Sequence, residues 1–157
     1  MARRTVDTGE ARGIRKAGRA VMIYLIDTNT CIGYLTRRSS PIVNKLASLS
    51  PQDVALCDIV KAELYYGAYK GTRLESNLVL FREFFGLFVS LPFDSSAAEV
   101  HGRIRTGLEA LGTPIGPYDL LIAAIALANN LTLVTHNTRE FSRVPGLQSE
   151  DWEAASE

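Results

Sequence analysis

Gly116-Pro117-Tyr118-Asp119-Leu120-Leu121-Ile122-Ala123-Ala124-Ile125-Ala126-Leu127-Ala128 is followed, after Asn129-Asn130, by Leu131-Thr132-Leu133-Val134-Thr135. The segment Leu120 to Asn130 is apolar nearly all round, and a helix without a polar face has to be buried. The five residues after it form a short strand pattern. A buried helix feeding a strand is one step of an α/β fold, and the rest of the chain repeats the alternation.

Towards the N-terminus, Ile23 to Ile26 is a short apolar run ending at Asp27, and Asp27-Thr28-Asn29 offers cap chemistry for a helix through about Leu35. Ser40-Pro41 starts a second helix, which Ser50-Pro51 stops. Val54 to Cys57 reads as a second strand, followed by a helix from about Ile59 to Tyr69 that contains Glu63. Leu74, Leu78, Phe81, Phe85 and Phe88 recur at helical spacing. Val89 to Phe93 is a third strand. His101, Ile104, Leu108 and Leu111 form a further helical stripe, closed by Gly112. Leu131 to Thr135 is the fourth strand, and Leu147 to Trp152 offers a fifth. Strands alternating with helices predict a three-layer α/β/α fold around a central parallel sheet of four or five strands.

The chain has 157 residues, 46% hydrophobic and 22% charged, which suits one globular domain and argues against disorder or coiled coil. The longest apolar run, Leu120 to Ala128, has nine residues, well short of the roughly 20 that a membrane span needs. Cys31 and Cys57 have no C-x-x-C spacing, so neither a disulfide framework nor a cysteine zinc site is expected. Both read as small core residues, and a reducing cytoplasm is the natural compartment.

Net charge is zero but unevenly spread. Residues 1–21 carry six basic and two acidic side chains, while residues 22–157 carry 11 basic and 15 acidic ones. The first segment lacks the apolar core of a signal peptide and has too few core-forming residues to order itself. It is expected to be a flexible basic extension, with Met22 as an alternative start and RNA attraction as its functional alternative. Residues 22–152 form the expected domain and 153–157 a tail.

In open parallel sheets, ligands bind beyond the carboxyl ends of the strands. Four oxygen-bearing side chains are expected there: Asp27 after strand one, Glu63 after strand two, Asp119 at the start of the buried helix, and Asn137 after strand four. Each alone has a plain structural role open to it, as a helix cap, a turn residue or a solvated charge. Together they converge from four distant parts of the chain, and carboxylates held at such a rim need a cation or strong donors. Carboxylate oxygens suit Mg²⁺ or Mn²⁺, and the scarcity of Cys and His disfavours zinc.

The stretches Tyr24-Leu25-Ile26-Asp27-Thr28-Asn29, Lys61-Ala62-Glu63-Leu64-Tyr65-Tyr66-Gly67-Ala68, Gly116 to Ala124, and Val134-Thr135-His136-Asn137-Thr138-Arg139-Glu140-Phe141 resemble those of PIN-domain ribonucleases. The likeness is to the VapC toxins of bacterial toxin–antitoxin pairs, and it covers residues 22 to about 152. It implies a metal-dependent endoribonuclease in which Asp27, Glu63 and Asp119 hold Mg²⁺, with Mn²⁺ as substitute. Asn137 falls on a fourth position that is often Asp, and Glu140 is a further carboxylate nearby. Thr135 matches a hydroxyl that places the attacking water or a phosphate oxygen, and Arg139 is a candidate substrate contact beside Arg37, Arg38 and Arg143. The implied partners are an RNA, with transfer RNA as the suggested class, a cognate antitoxin that brings a cation against the acidic cluster, and a second copy of the chain.

Two other functions are open to the sequence. Asp27-Thr28-Asn29-Thr30 resembles the D-x-D-x-T opening of haloacid-dehalogenase phosphatases, but Asn29 stands where the second Asp acts, and no later acidic pair follows. The other is a non-catalytic PIN-like module that binds RNA or protein. Retention of all three acidic residues counts against it.

Overall fold

The computed structural model describes residues 22–154; the expectations for the basic extension lie outside the described residues. Five parallel strands form one sheet: β1 (Tyr24–Ile26), β2 (Val54–Cys57), β3 (Val89–Leu91), β4 (Thr132–Val134) and β5 (Ser149–Glu150), in the order β3-β2-β1-β4-β5. Around them run α1 (Thr28–Leu35), α2 (Ser40–Ser48), α3 (Asp58–Lys70), α4 (Leu74–Phe85), α5 (Ser95–Ala110), α6 (Pro117–Ala128) and α7 (Thr138–Phe141).

The strand order fixes where a site can form. From β1 to β3 the chain moves one way across the sheet. From β3 it returns past β2 and β1 to place β4 on the other side of β1. With right-handed crossovers, that reversal carries α5 and α6 to the face opposite α1 to α4. The crevice therefore opens at the carboxyl ends of β1 and β4, where Tyr24 pairs with Thr132 and Ile26 with Val134.

Burial follows the sequence patterns closely. The strands contribute Leu25, Leu56 and Leu133, all fully buried, and α6 buries Leu120 and the continuous run Ile122 to Ala126. Pro117 occupies the first turn of α6, where its missing N–H leaves no bond unmade. On α4, Phe81, Phe84 and Phe85 are buried, and Phe81 and Phe85 stack at 5.7 Å. Gly33 lies where α1 packs on α2: a Cβ there would stand 2.8 Å from Ile42 Cδ1, so a larger residue would make the Ile42 side chain move. Cys31 and Cys57 are free and buried, as expected for core residues.

One stripe ends earlier than its spacing predicts. Ile104 and Leu108 are buried in α5, but Leu111 is 73% exposed. It caps the helix, and Gly112, at φ +69°, turns the chain away before Leu111 can reach the core. His101 is half-buried, its ring edge-on to Phe93 at 5.8 Å.

Candidate active site

Asp27 follows β1 and caps α1. Its Oδ1 accepts the Thr30 N–H at 2.9 Å, which satisfies one of the unpaired donors at the helix start. The residue is only 6% exposed. Burial raises its pKa, and hydrogen bonds from Thr135 and Thr30 oppose the rise. The helix cap expected as the plain structural role of Asp27 is therefore present, made by the same carboxylate that is a candidate for the site.

Glu63 lies on α3, half-buried, and accepts a hydrogen bond from the Thr28 hydroxyl at 2.7 Å. Asp119 is in the first turn of α6, but the cap position of that helix belongs to Gly116, so Asp119 is not a cap. Helices α3 and α6 touch, and the charge of Glu63 acts on Asp119. The Asp119 pKa is raised from 3.8 to about 6, first by burial and then by the charges of Glu140, Glu63 and Asp27. Four carboxylates therefore share one electrostatic neighbourhood at the crevice.

Glu140 has a more central place than its nearby-carboxylate reading implied. Its Oε1 accepts the Gly116 N–H at 2.8 Å and its Oε2 the Asn137 side-chain amide at 2.7 Å. The Gly116 bond, the Asn137 bond and the charge of Arg143 hold its pKa below the usual carboxylate range, against the effect of burial. Asn137 is exposed, and its own N–H is held by Thr135 Oγ1 at 3.0 Å. Thr135 itself is fully buried.

Among the described residues, no lysine or arginine forms a salt bridge with Asp27, Glu63, Asp119 or Glu140. Uncompensated carboxylates at a half-buried rim fit a hard divalent cation. The one triple of described residues with ligand atoms all within 4.8 Å of one another is His136, Asp151 and Glu153, so the acidic quartet is more open than that. The histidine triple is a clasp between segments: His136 Nδ1 lies 2.9 Å from Asp151 Oδ2 and 3.2 Å from Glu153 Oε2, tying the loop after β4 to the chain after β5.

The basic residues divide. Arg143 donates to the Pro114 carbonyl at 3.2 Å and acts on Glu140. Arg38 approaches Glu153 at 3.8 Å, and Arg37 lies over the Tyr34 ring at 4.8 Å. Arg139 is exposed on α7. Tyr65 packs edge-on against Phe81 and Phe85, while Tyr66 and Tyr118 are exposed. Thr28 and the clamp around Glu140 were not legible in the sequence, although Thr28 stands beside Asp27 in the first motif.

A parallel sheet with an acidic quartet at its switch point defines a class, and the chain belongs to the PIN domain family, which it matches over residues 24–147. Among that family's members it is similar to VapC ribonucleases, as its four motifs suggested. It is 39% identical to the tRNA(fMet)-specific endonuclease VapC of Salmonella typhimurium, over 82% of this chain and 97% of that one. It is 38% identical to ribonuclease VapC2 of Rickettsia felis, over 84% and 99%. Among solved structures, DNA-bound VapBC from Salmonella typhimurium superimposes with a TM-score of 0.79 at 37% identity, covering 83% of this chain and 98% of that one. VapBC2 from Rickettsia felis, bound to a fragment of its promoter DNA, gives 0.77 at 37% identity, covering 83% and 99%. The phosphatase alternative has no support in these likenesses.

Proposed function

We propose that this protein is a divalent-metal-dependent endoribonuclease, the toxin of a toxin–antitoxin pair, acting in the cytoplasm. The observation that carries the reading is the convergence of Asp27, Glu63, Asp119 and Glu140 at the switch point, where no lysine or arginine among the described residues forms a salt bridge with them. The relatives' names support the activity, and one of them supports transfer RNA as the substrate class. The VapBC neighbours support a cognate antitoxin, and a second copy of the chain is the proposed oligomer.

Asp27 and Asp119 are the proposed holders of Mg²⁺, with Glu63 orienting the attacking water. Bound Mg²⁺ supplies charge neutralisation at the scissile phosphate and acidifies water in its shell. Asp27 presents its carboxylate from a rigid helix cap, so little reorganisation is needed when substrate arrives. Glu140 is held by Gly116 and Asn137 and raises the proton affinity of Asp119 beside it. Thr135 is fully buried and favours the charged form of Asp27, which supports a role beside that carboxylate as well as the hydroxyl role implied by the resemblance. Arg139 and Arg143 flank the rim as proposed phosphate contacts. This chain shows no motif for a covalent nucleophile, and hydrolysis by water needs none.

The test is incubation of the purified protein with total RNA and mapping of the cut ends. Cleavage is expected with Mg²⁺ and with Mn²⁺, poorly with Zn²⁺, and not in EDTA. Metal-independent binding without cleavage would instead establish the non-catalytic module. Co-expression with the adjacent open reading frame is expected to yield a complex and relieve toxicity, and light scattering of the free chain reads the dimer.

A further inference from the structure

Thr28 is the first residue of α1, and its hydroxyl donates to Glu63 Oε1 at 2.7 Å across 35 positions of sequence. The distance is that of a well-formed hydroxyl hydrogen bond. Threonines inside helices usually turn their hydroxyl back onto the carbonyl four residues earlier. Thr106 does so within α5, bonding Gly102 O at 2.8 Å, and Thr36, just past the end of α1, does the same with Ile32 O at 2.7 Å. At the first position of α1 the residue four earlier, Tyr24, belongs to β1, so no helical carbonyl lies behind Thr28. Its hydroxyl is released to reach across to the next helix.

Glu63 needs such a donor. It lines a groove of about 200 Å³ whose walls include Ile32, Leu35, Leu64 and Phe81. No lysine or arginine among the described residues forms a salt bridge with it. A glutamate has several rotatable bonds, and holding it in one rotamer costs entropy that a single good hydrogen bond can offset. Threonine is stiff at χ1, and its Cα is fixed beside the Asp27 cap, so the bond also sets Glu63 relative to Asp27.

We infer that Thr28 is a positioning residue of the nuclease site, taking Oε1 of Glu63 so that Oε2 is presented to the attacking water. The inference rests on the role proposed above for Glu63. Serine can replace Thr28 in this task. Valine, which has the same shape but no hydroxyl, cannot.

The experiment uses the full chain with Thr28→Val, Thr28→Ser, Glu63→Gln and the Thr28→Val/Glu63→Gln pair. In the metal-free protein, NMR side-chain couplings of Glu63 are expected to report one rotamer for wild type and Thr28→Ser, and averaging for Thr28→Val. With saturating Mg²⁺ and transfer RNA, single-turnover cleavage by Thr28→Val is expected to fall ~10-fold or more, as misplacement of a catalytic group does. RNA binding and melting temperature should stay near wild type, and Thr28→Ser should recover most of the rate. Glu63→Gln keeps an amide oxygen that can accept the Thr28 hydroxyl but loses the carboxylate, so the pair should cleave no faster than Glu63→Gln alone. A fixed Glu63 rotamer in Thr28→Val overturns the clamp. A wild-type rate in Glu63→Gln, with the rotamer loosened in Thr28→Val, overturns instead the role of Glu63 and with it the positioning.

Discussion

The side chain of Asn137 donates a 2.7 Å hydrogen bond to Glu140 Oε2 and thereby holds a carboxylate instead of supplying one. The fourth position of the acidic set is therefore split between two residues one turn apart. Glu140 carries the charge, and Asn137, with the Gly116 N–H, aims it. Asn137→Ala releases one oxygen of Glu140 and is expected to slow cleavage ~10-fold, a loss of about 1.4 kcal/mol in barrier terms. Asn137→Asp is expected to do no better, since it sets a second negative charge at hydrogen-bond distance. A faster Asn137→Asp enzyme in single-turnover assays would falsify this division of roles.

Asp119 sets the pH response. Its pKa in the folded protein, about 6, lies above the ordinary 3.8, because burial and then the neighbouring carboxylates penalise its charge. The folded state binds that proton more tightly than the unfolded chain, so the contribution to stability is full below 3.8 and is lost as pH rises through about 6. Metal-free protein at neutral pH should therefore gain a few degrees in melting temperature from Asp119→Asn while losing cleavage. Protons also compete with the cation for this oxygen, so Mg²⁺ affinity by calorimetry should fall as pH drops through about 6. Glu140→Gln removes the nearest charge and should shift that fall to lower pH.

Asp27 separates structure from chemistry. Asparagine caps helices as well as aspartate does, so Asp27→Asn should preserve the bond to Thr30 and, by removing a buried charge, should not lower the melting temperature of the metal-free protein. It removes a charge from the cation site, and cleavage should drop at least ~100-fold, roughly 2.7 kcal/mol of barrier. Asp27→Ala should match that loss and also cost ~1 kcal/mol of stability through the missing cap. Calorimetric unfolding and cleavage rates measured on the same samples check both.

Residues 1–21 carry an excess of four positive charges, while the buried core of the described residues runs from Leu25 to Trp152. Removing the extension is expected to leave the melting temperature nearly unchanged. A steep loss of RNA affinity in the shortened chain, with a shallower salt dependence, would assign the segment to substrate capture.

The sequence by itself determined the architecture and brought forward Asp27, Glu63 and Asp119 as candidates, with Glu140 as a further carboxylate nearby. Short apolar runs and helical patterns report burial directly, so the all-round apolar α6 and the short strands identify a covered parallel sheet from the sequence. Asp27, Glu63 and Asp119 stand out because each follows a strand or opens a helix that those patterns locate. The tertiary structure alone decided the remainder. That Leu111 faces solvent depends on where Gly112 turns the chain. That Glu140 is the fourth charge, Asn137 its clamp and Thr28 the holder of Glu63 depends on side-chain bonds spanning 24, three and 35 positions. Periodicity is a property of one element against the core. A hydrogen bond between elements depends on their relative placement, which packing of the whole chain sets.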